Sequence, residues 1–341
     1  MKKIFLMMLL LVTFALSGCN TQAAVNQGEN SVSGDLKISM LDIGHGDSIL
    51  IQTGEQTILI DTSITNEHAA LVSELKKFSV TKIDKLILTH PHADHTGGAK
   101  MLISPSKKEL TEFPYLEKIS VAEVYDNGII YGSGTYQGYV NATQKNKLHY
   151  QHLKAGDTLD FGNGVKFQVL FPPLDFVAKV NSGQFNKDDA EYNTNNGSIV
   201  GKLTYKDFSM MFTGDTEKES EAKILASNRA KNLKCDVLKS PHHGCDTSST
   251  EDFLAAINPN YVLISSGARD KNDKAYGPPH SKTIKRYLAQ GIDKKNILCT
   301  RFNGTIIVTS DGKNYSVQCE KKEDWVDKWQ AEKKKRYPKT S

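Results

Sequence analysis

The sequence predicts an α/β protein of four layers: two mixed β-sheets packed face to face, with helices on both outer surfaces, an αββα sandwich. Two observations carry the prediction. In each half of the chain, short β-type runs come first as hairpin neighbours and later alternate with helix-like stretches. No linker interrupts residues 35–319, so both halves belong to one domain.

The elements follow in order. LKISML (36–41), SILIQT (48–53) and TILIDT (57–62) are apolar runs suited to a packed sheet. A helical stretch, HAALVSELKKF, precedes the strand KLILT (85–89), which ends abruptly at His90. Downstream come the strands VAEVY, VKFQVLF, SIVGKLTY and FSMMFT, the helix EKESEAKILA, the strands CDVLKS and NYVLIS, and the helix HSKTIKRYLAQ. ILCT, GTIIVTS and NYSVQC read as a three-strand meander. Its outer strands would hold Cys299 and Cys319 roughly 9.5 Å apart, too far for a disulfide. Cys235 and Cys245 complete the cysteines of the body. Between Tyr125 and Leu159 lies a segment rich in Tyr, Gly and Asn, read either as a lid over a cleft or as a surface helix from about Thr135 to Lys147.

The ends differ from the body. Lys2 and Lys3 precede an apolar run, Ile4 to Leu16, too short to span a bilayer comfortably, followed by Ser17, Gly18 and Cys19. This pattern resembles a bacterial lipobox, which implies a signal peptide over 1–18 and a lipid on Cys19 at the start of the mature chain. Residues 19–34 read as a flexible tether. The net charge of +4 is carried by the two ends, +2 in the signal and +3 in the tail 320–341, so the body is close to neutral. A neutral body has no electrostatic footprint for nucleic acid, whereas the basic tail reads either as a contact for an anionic membrane or wall polymer or simply as a solvated helix end. These readings place the chain on the outer face of the bacterial cytoplasmic membrane; a monomer is the expectation for its oligomeric state, which the sequence leaves open.

The chemistry concentrates in HPHADHTGG (90–98), directly after an apolar strand. His90 and His92 alternate along an extended backbone and can face one point, while Asp94 and His95 on the next turn face a second. Two adjacent clusters of nitrogen and oxygen donors are what a dinuclear site needs, with zinc, manganese or iron suited to imidazole and carboxylate. Packing alone does not gather three histidines and an aspartate in six residues.

HPHADH is similar to the HxHxDH signature of the metallo-β-lactamase superfamily, and Asp61 after TILI, Asp215 in FTGD and His242 in SPHHG match its other landmarks in order. With MLDIGHGDSILIQT, NNGSIVGKLTY and YGPPH, the chain resembles the extracellular hydrolase domain of ComEC-type DNA-uptake proteins; similar signatures occur in cell-wall phosphorylcholine esterases. The resemblance implies two divalent ions, zinc or manganese. His90, His92 and Asp215 would hold the first, and Asp94, His95, Asp215 and His242 the second, with Asp61 orienting a histidine. Asp94 is thus both ligand and part of the catalytic apparatus. A hydroxide shared by the ions would attack a phosphodiester or phosphomonoester of nucleic acid or a wall polymer. A lactam, lactone or thioester hydrolase, or a non-catalytic binding lipoprotein, are the rival readings.

Some positions stay open or depart from the family. The histidine that usually completes the first ion site has no match; Asn195 and Asn196 occupy its stretch, which favours a hard ion such as manganese. His149 and His152 fall too early in the chain and read as surface residues. His243, adjacent to His242, should point away if strand alternation continues. Cys245 reads as an inert small side chain. Asp47 in GHGDS either caps a turn or positions metal or substrate. His280 is expected at a helix N-terminus capped by Ser281, acting on a phosphoryl group rather than on metal.

Overall fold

A computed structural model describes residues 34–183, 192–267 and 277–336. Residues 1–33, on which the expected signal segment, the expected lipidation at Cys19 and most of the expected tether fall, lie outside the described residues. Among the described residues, fifteen strands form two sheets. They are β1 (Leu36–Met40), β2 (Ile49–Gln52), β3 (Thr57–Ile60), β4 (Lys82–Ile87), β5 (Ser120–Asp126), β6 (His149–His152), β7 (Thr158–Asp160), β8 (Lys166–Phe171), β9 (Val200–Tyr205), β10 (Phe208–Phe212), β11 (Val237–Lys239), β12 (Tyr261–Ile264), β13 (Ile297–Cys299), β14 (Ile306–Ser310) and β15 (Tyr315–Cys319).

The first sheet runs β15-β14-β1-β2-β3-β4-β5-β6 and the second β13-β12-β11-β10-β9-β8-β7. In both, antiparallel neighbours come first and parallel ones follow: β3 to β6 are parallel, as are β10 to β13. Period-two alternation sends Ile49 and Ile51 to the space between the sheets and Leu50 to the outer face, which is why both faces of β2 are apolar. The inner core also holds Met40, Phe167, Leu203 and Met210. Outside the first sheet lie Leu71 and Leu75 of the helix His68–Lys77. Outside the second lie Ile224, Phe253, Ile284 and Tyr287, from three helices. Burying each such side chain contributes about 1.5–3 kcal/mol before entropy is counted.

The segment between Tyr125 and Leu159 forms a helix, Gly134–Lys145, whose Ser133 hydroxyl accepts from the Tyr136 amide. Tyr136 and Tyr139 pack into the outer core, so the helix is part of the body.

The expected three-strand meander does not form. β13 pairs in parallel with β12 in the second sheet, while β14 and β15 make a hairpin on β1 in the first. The cause is local: Thr300–Asn303 makes a helical turn rather than a hairpin, the Asn303 side chain accepts from the Cys299 amide at 2.9 Å, and Gly304 at φ 68 redirects the chain. Cys299 and Cys319 therefore lie in different sheets, and all four described cysteines are free. Of the tail, Trp325–Arg336 is helical; Trp325 and Trp329 are buried and donate to the carbonyls of Ile297 and Pro279.

Candidate metal centre

Strand ends build the site. β3 stops before Asp61, β4 ends at Ile87 with Leu88 and Thr89 leading on to His90, β10 leads to Asp215, and β11 leads to His242 and His243. In mixed α/β sheets, the carboxyl ends of parallel strands are where loops can converge on a ligand. Asp61 sits at φ 61 with its carboxylate turned back: Oδ1 accepts from the Thr89 amide and Oδ2 from the Thr89 hydroxyl, both at 2.8 Å. Oδ2 also meets His95 Nδ1 at 2.8 Å, fixing that ring.

Asp215 is the centre of the arrangement. Its Oδ1 lies 3.2 Å from His95 Nε2, and its Oδ2 lies 3.3 Å from His243 Nε2, 3.8 Å from His242 Nε2 and 4.0 Å from His90 Nε2. His90 Nε2 is 3.1 Å from His92 Nδ1. Asp94 Oδ2 faces His243 Nε2 at 3.4 Å and His45 Nε2 at 3.2 Å. Asp94, His95, Asp215 and His243 each offer a ligand atom within 4.8 Å of one another.

The expectation for the tandem histidines is corrected here. His243, not His242, faces Asp94, and its Nδ1 is held by the Ser265 carbonyl at 3.0 Å. Strand alternation fails because β11 ends at Lys239, and both His242 (φ 48) and His243 (φ 52) are left-handed.

The remaining positions separate clearly. Asp47 is buried in the turn behind the cluster, paired with Lys239 and 3.3 Å from His243 Nδ1. Gly46 makes this possible: at φ 105 it lies so close to the Asp94 carbonyl that a Cβ would come within 2.1 Å of it. Asn195 reaches the rim, its Nδ2 3.5 Å from His242 Nε2. Asn196 does not join: its Oδ1 accepts from the Glu217 and Ser220 amides, pinning the start of the helix Lys218–Ala226. His280, rather than Ser281, stands at the N-cap of the helix Ser281–Ala289, with no side-chain cap; its Nδ1 meets Asp246 Oδ1 at 2.9 Å. Cys245 is buried and free. His149 is exposed on the sheet-edge strand β6, and His152 leans on Asp126. Sequence reasoning missed Lys239, Glu217 and His45; a lysine inside an apolar strand and a histidine between two glycines were the available signals.

Electrostatics match the geometry. Burial would raise the carboxyls of Asp94 and Asp215, but the neighbouring histidines outweigh it and hold both well below the usual carboxylate range. Burial would likewise lower His95 and His243, and Asp215 with the other carboxylates reverses that. His90 is pushed down by burial and by His95. His95 Nε2, His243 Nε2 and Asp215 Oδ1 are buried without a hydrogen bond. Polar atoms left without partners around one point are what a divalent cation, displacing any ring protons, would satisfy, and the nitrogen and carboxylate donors are of the right chemistry. Cavities open on two sides, one of about 380 Å³ beside His92, Tyr131 and Asn195, the other of about 290 Å³ beside His45, Glu67 and Asp94.

The profile of the Metallo-beta-lactamase superfamily matches residues 41–268, and the chain belongs to that family. It is 29% identical over 293 residues to ComE operon protein 3 of Bacillus subtilis (strain 168), covering 81% of this chain and 33% of that protein. It is 28% identical to Competence protein ComA of Neisseria gonorrhoeae over 79% of this chain and 31% of that one. Recombination protein 2 of Haemophilus influenzae is 28% identical over 68% of this chain and 24% of its own length. The relatives are of the ComEC type, and the chain spans no more than about a third of any of these three.

Proposed function

We propose that this member of the metallo-beta-lactamase superfamily is a metal-dependent hydrolase with two ions, cleaving phosphoester bonds of nucleic acid or a wall polymer outside the cytoplasmic membrane. The observation that carries the reading is the ring of stranded donors around Asp215. His90, His92 and Asp215 would hold one ion, and Asp94, His95, Asp215 and His243 the other, zinc or manganese by donor type. Bound there, such ions supply a water of lowered pKa and positive charge for phosphoryl oxygens.

The protein's own residues do the rest. Asp61 holds His95 by Nδ1 and so aims Nε2 inward. Asp246 engages His280 Nδ1, leaving Nε2 to donate a proton to the leaving oxygen or to bind a phosphoryl oxygen. Openings at both His92 and Asp94 suit a substrate that extends on two sides of the scissile bond, as a diester does. The names competence protein and recombination protein among the relatives direct the first substrate tests to DNA.

The test is metal analysis of the purified chain, followed by turnover of single-stranded DNA, a bis-aryl phosphodiester, a phosphocholine ester and a chromogenic lactam. Cleavage of a phosphoester supports the reading. Cleavage of the lactam alone transfers it to carbonyl chemistry, and inertness with ions bound leaves a binding lipoprotein. Anchoring through a lipid on Cys19 is part of the proposal: Cys19→Ala should release the chain from membranes, and a variant that still sediments with them at unchanged size refutes the anchor.

A further inference from the structure

His242 is left without a role once His243 faces Asp94, although it is built like a ligand. Its Nδ1 lies 3.1 Å from Glu217 Oε1 and 3.1 Å from the Thr247 hydroxyl, while Nε2 points toward Asp215 Oδ2 at 3.8 Å. Glu217 is itself fixed, accepting from Asn193 Nδ2 at 2.6 Å and Asn195 Nδ2 at 3.4 Å. The same plan recurs in two other rings: Asp61 holds His95 by Nδ1 and the Ser265 carbonyl holds His243 by Nδ1, and in each Nε2 faces Asp215. A carboxylate on one ring nitrogen fixes the tautomer and leaves the other nitrogen's lone pair free for a cation.

The cluster of His90, His92 and Asp215 lacks a further nitrogen donor, because Asn195 occupies the stretch where a histidine was sought. His242 Nε2 stands 3.5 Å from Asn195 Nδ2, and Asn195 lines the same cavity as His92. The backbone explains how two consecutive residues serve opposite sides. His242 and His243 are both left-handed, a conformation that side chains with a Cβ rarely adopt, and Gly244 follows at φ 82. The His242 amide donates to the Gly214 carbonyl at 3.1 Å, tying the strained turn to the residue before Asp215. Such strain persists where the surroundings enforce it, most often at functional sites.

We propose that His242 completes the first ion site with His90, His92 and Asp215, so that the tandem pair is divided, one histidine to each ion, with Glu217 as the positioning residue for His242. The inference rests on the two-ion reading above.

The experiment uses the full chain and titrates Mn²⁺ and Co²⁺ by calorimetry and by the Co²⁺ absorption spectrum, with folding checked by circular dichroism. Wild type should bind two ions. Asp94→Ala should keep the first and lose the second. In that background His242→Ala should weaken the remaining ion by about 100-fold, whereas His243→Ala should leave it unchanged. Glu217→Gln, which keeps size and hydrogen bonding, should weaken the same ion by about 10-fold and guards against a misfolded alanine variant. Two ions in wild type with no change from His242→Ala or Glu217→Gln overturns this division while leaving the two-ion reading intact. No ion in wild type overturns both.

Discussion

Lys239 offers the sharpest test of how the site is supported. Its side chain is 1% exposed, its Nζ pairs with Asp47 and donates to the Gly214 carbonyl at 2.8 Å, and it lies 3.9 Å from Asp215 Oδ1. Burial would lower the lysine pKa, but Asp47 and Asp215 raise it, so the charge is retained. Asp47 is driven down to about 2, Lys239 and then His243 outweighing burial. Unit charges about 4 Å apart attract by roughly 4 kcal/mol at an effective dielectric of about 20. That gain is offset by desolvation, so the pair adds little net stability while intact. Removing one partner is different, because the other stays buried and unpaired at a cost of about 3–5 kcal/mol. Lys239→Met keeps the volume and should lower the unfolding free energy by about 3 kcal/mol, the lower end, since His243 and His95 remain within 4.0 Å of Asp47. Asp47→Asn combined with Lys239→Met should recover most of the loss, a coupling of about 2 kcal/mol or more. Urea unfolding in the presence of a chelator reads this directly, because ion binding then adds nothing to stability. A Lys239→Met loss under about 1 kcal/mol, or no recovery in the double variant, refutes the reasoning.

Three further outcomes are expected. Gly46→Ala puts a Cβ within 2.1 Å of the Asp94 carbonyl at a positive φ, so it should cost about 1–3 kcal/mol and weaken the second ion; unchanged melting and Mn²⁺ affinity would contradict this. His280→Ala should lower kcat with metal content intact, and the loss should shrink on a substrate with a very acidic leaving group if His280 donates a proton. Equal loss on all substrates points to phosphoryl contact, and no loss removes the residue from the mechanism. His152 has its pKa raised by the hydrogen bond to Asp126, so its contribution is full below the ordinary value of 6.5 and fades as pH rises through the folded value. With a side chain 58% exposed, that contribution stays below about 1 kcal/mol; His152→Gln should flatten the stability profile above pH 6.5, and an unchanged slope would count against the pair.

The fold was legible where apolar runs were dense. β1 to β3 and β10 to β12 are short runs dominated by Ile, Leu, Val, Met and Phe and buried along most of their length, as strands covered on both faces are. The sheet-edge strands β6 (HYQH) and β7 (TLD) were invisible, because an edge strand facing water carries no apolar alternation. β13 went to the wrong sheet because three residues of apolar character do not say which neighbour they meet. A helix end was legible in the tail, but its docking was hidden by its charge: lysines dominate WVDKWQAEKKKR, yet Trp325 and Trp329 fasten it by ring burial and indole hydrogen bonds.

At the site, legibility followed sequence distance. HPHADH could be read because its donors are neighbours in the chain, whereas Lys239 with Asp47, or Glu217 with His242, are pairs that only folding brings together. The tandem histidines failed for another reason. Alternation is a property of strand geometry, and it lapses where β11 ends. Asp61, Ser63, His242 and His243 all adopt positive φ at strand ends, with Gly46 and Gly214 beside them. These residues aim donors inward from a rim of turns, where neither the period of two nor that of 3.6 applies. Local rules give way at functional sites because the chemistry demands directions that regular structure cannot supply. In this chain the consequence is concrete: both side chains of one strained dipeptide turn toward Asp215 Oδ2, at 3.8 and 3.3 Å, where strand alternation would have sent one of them away.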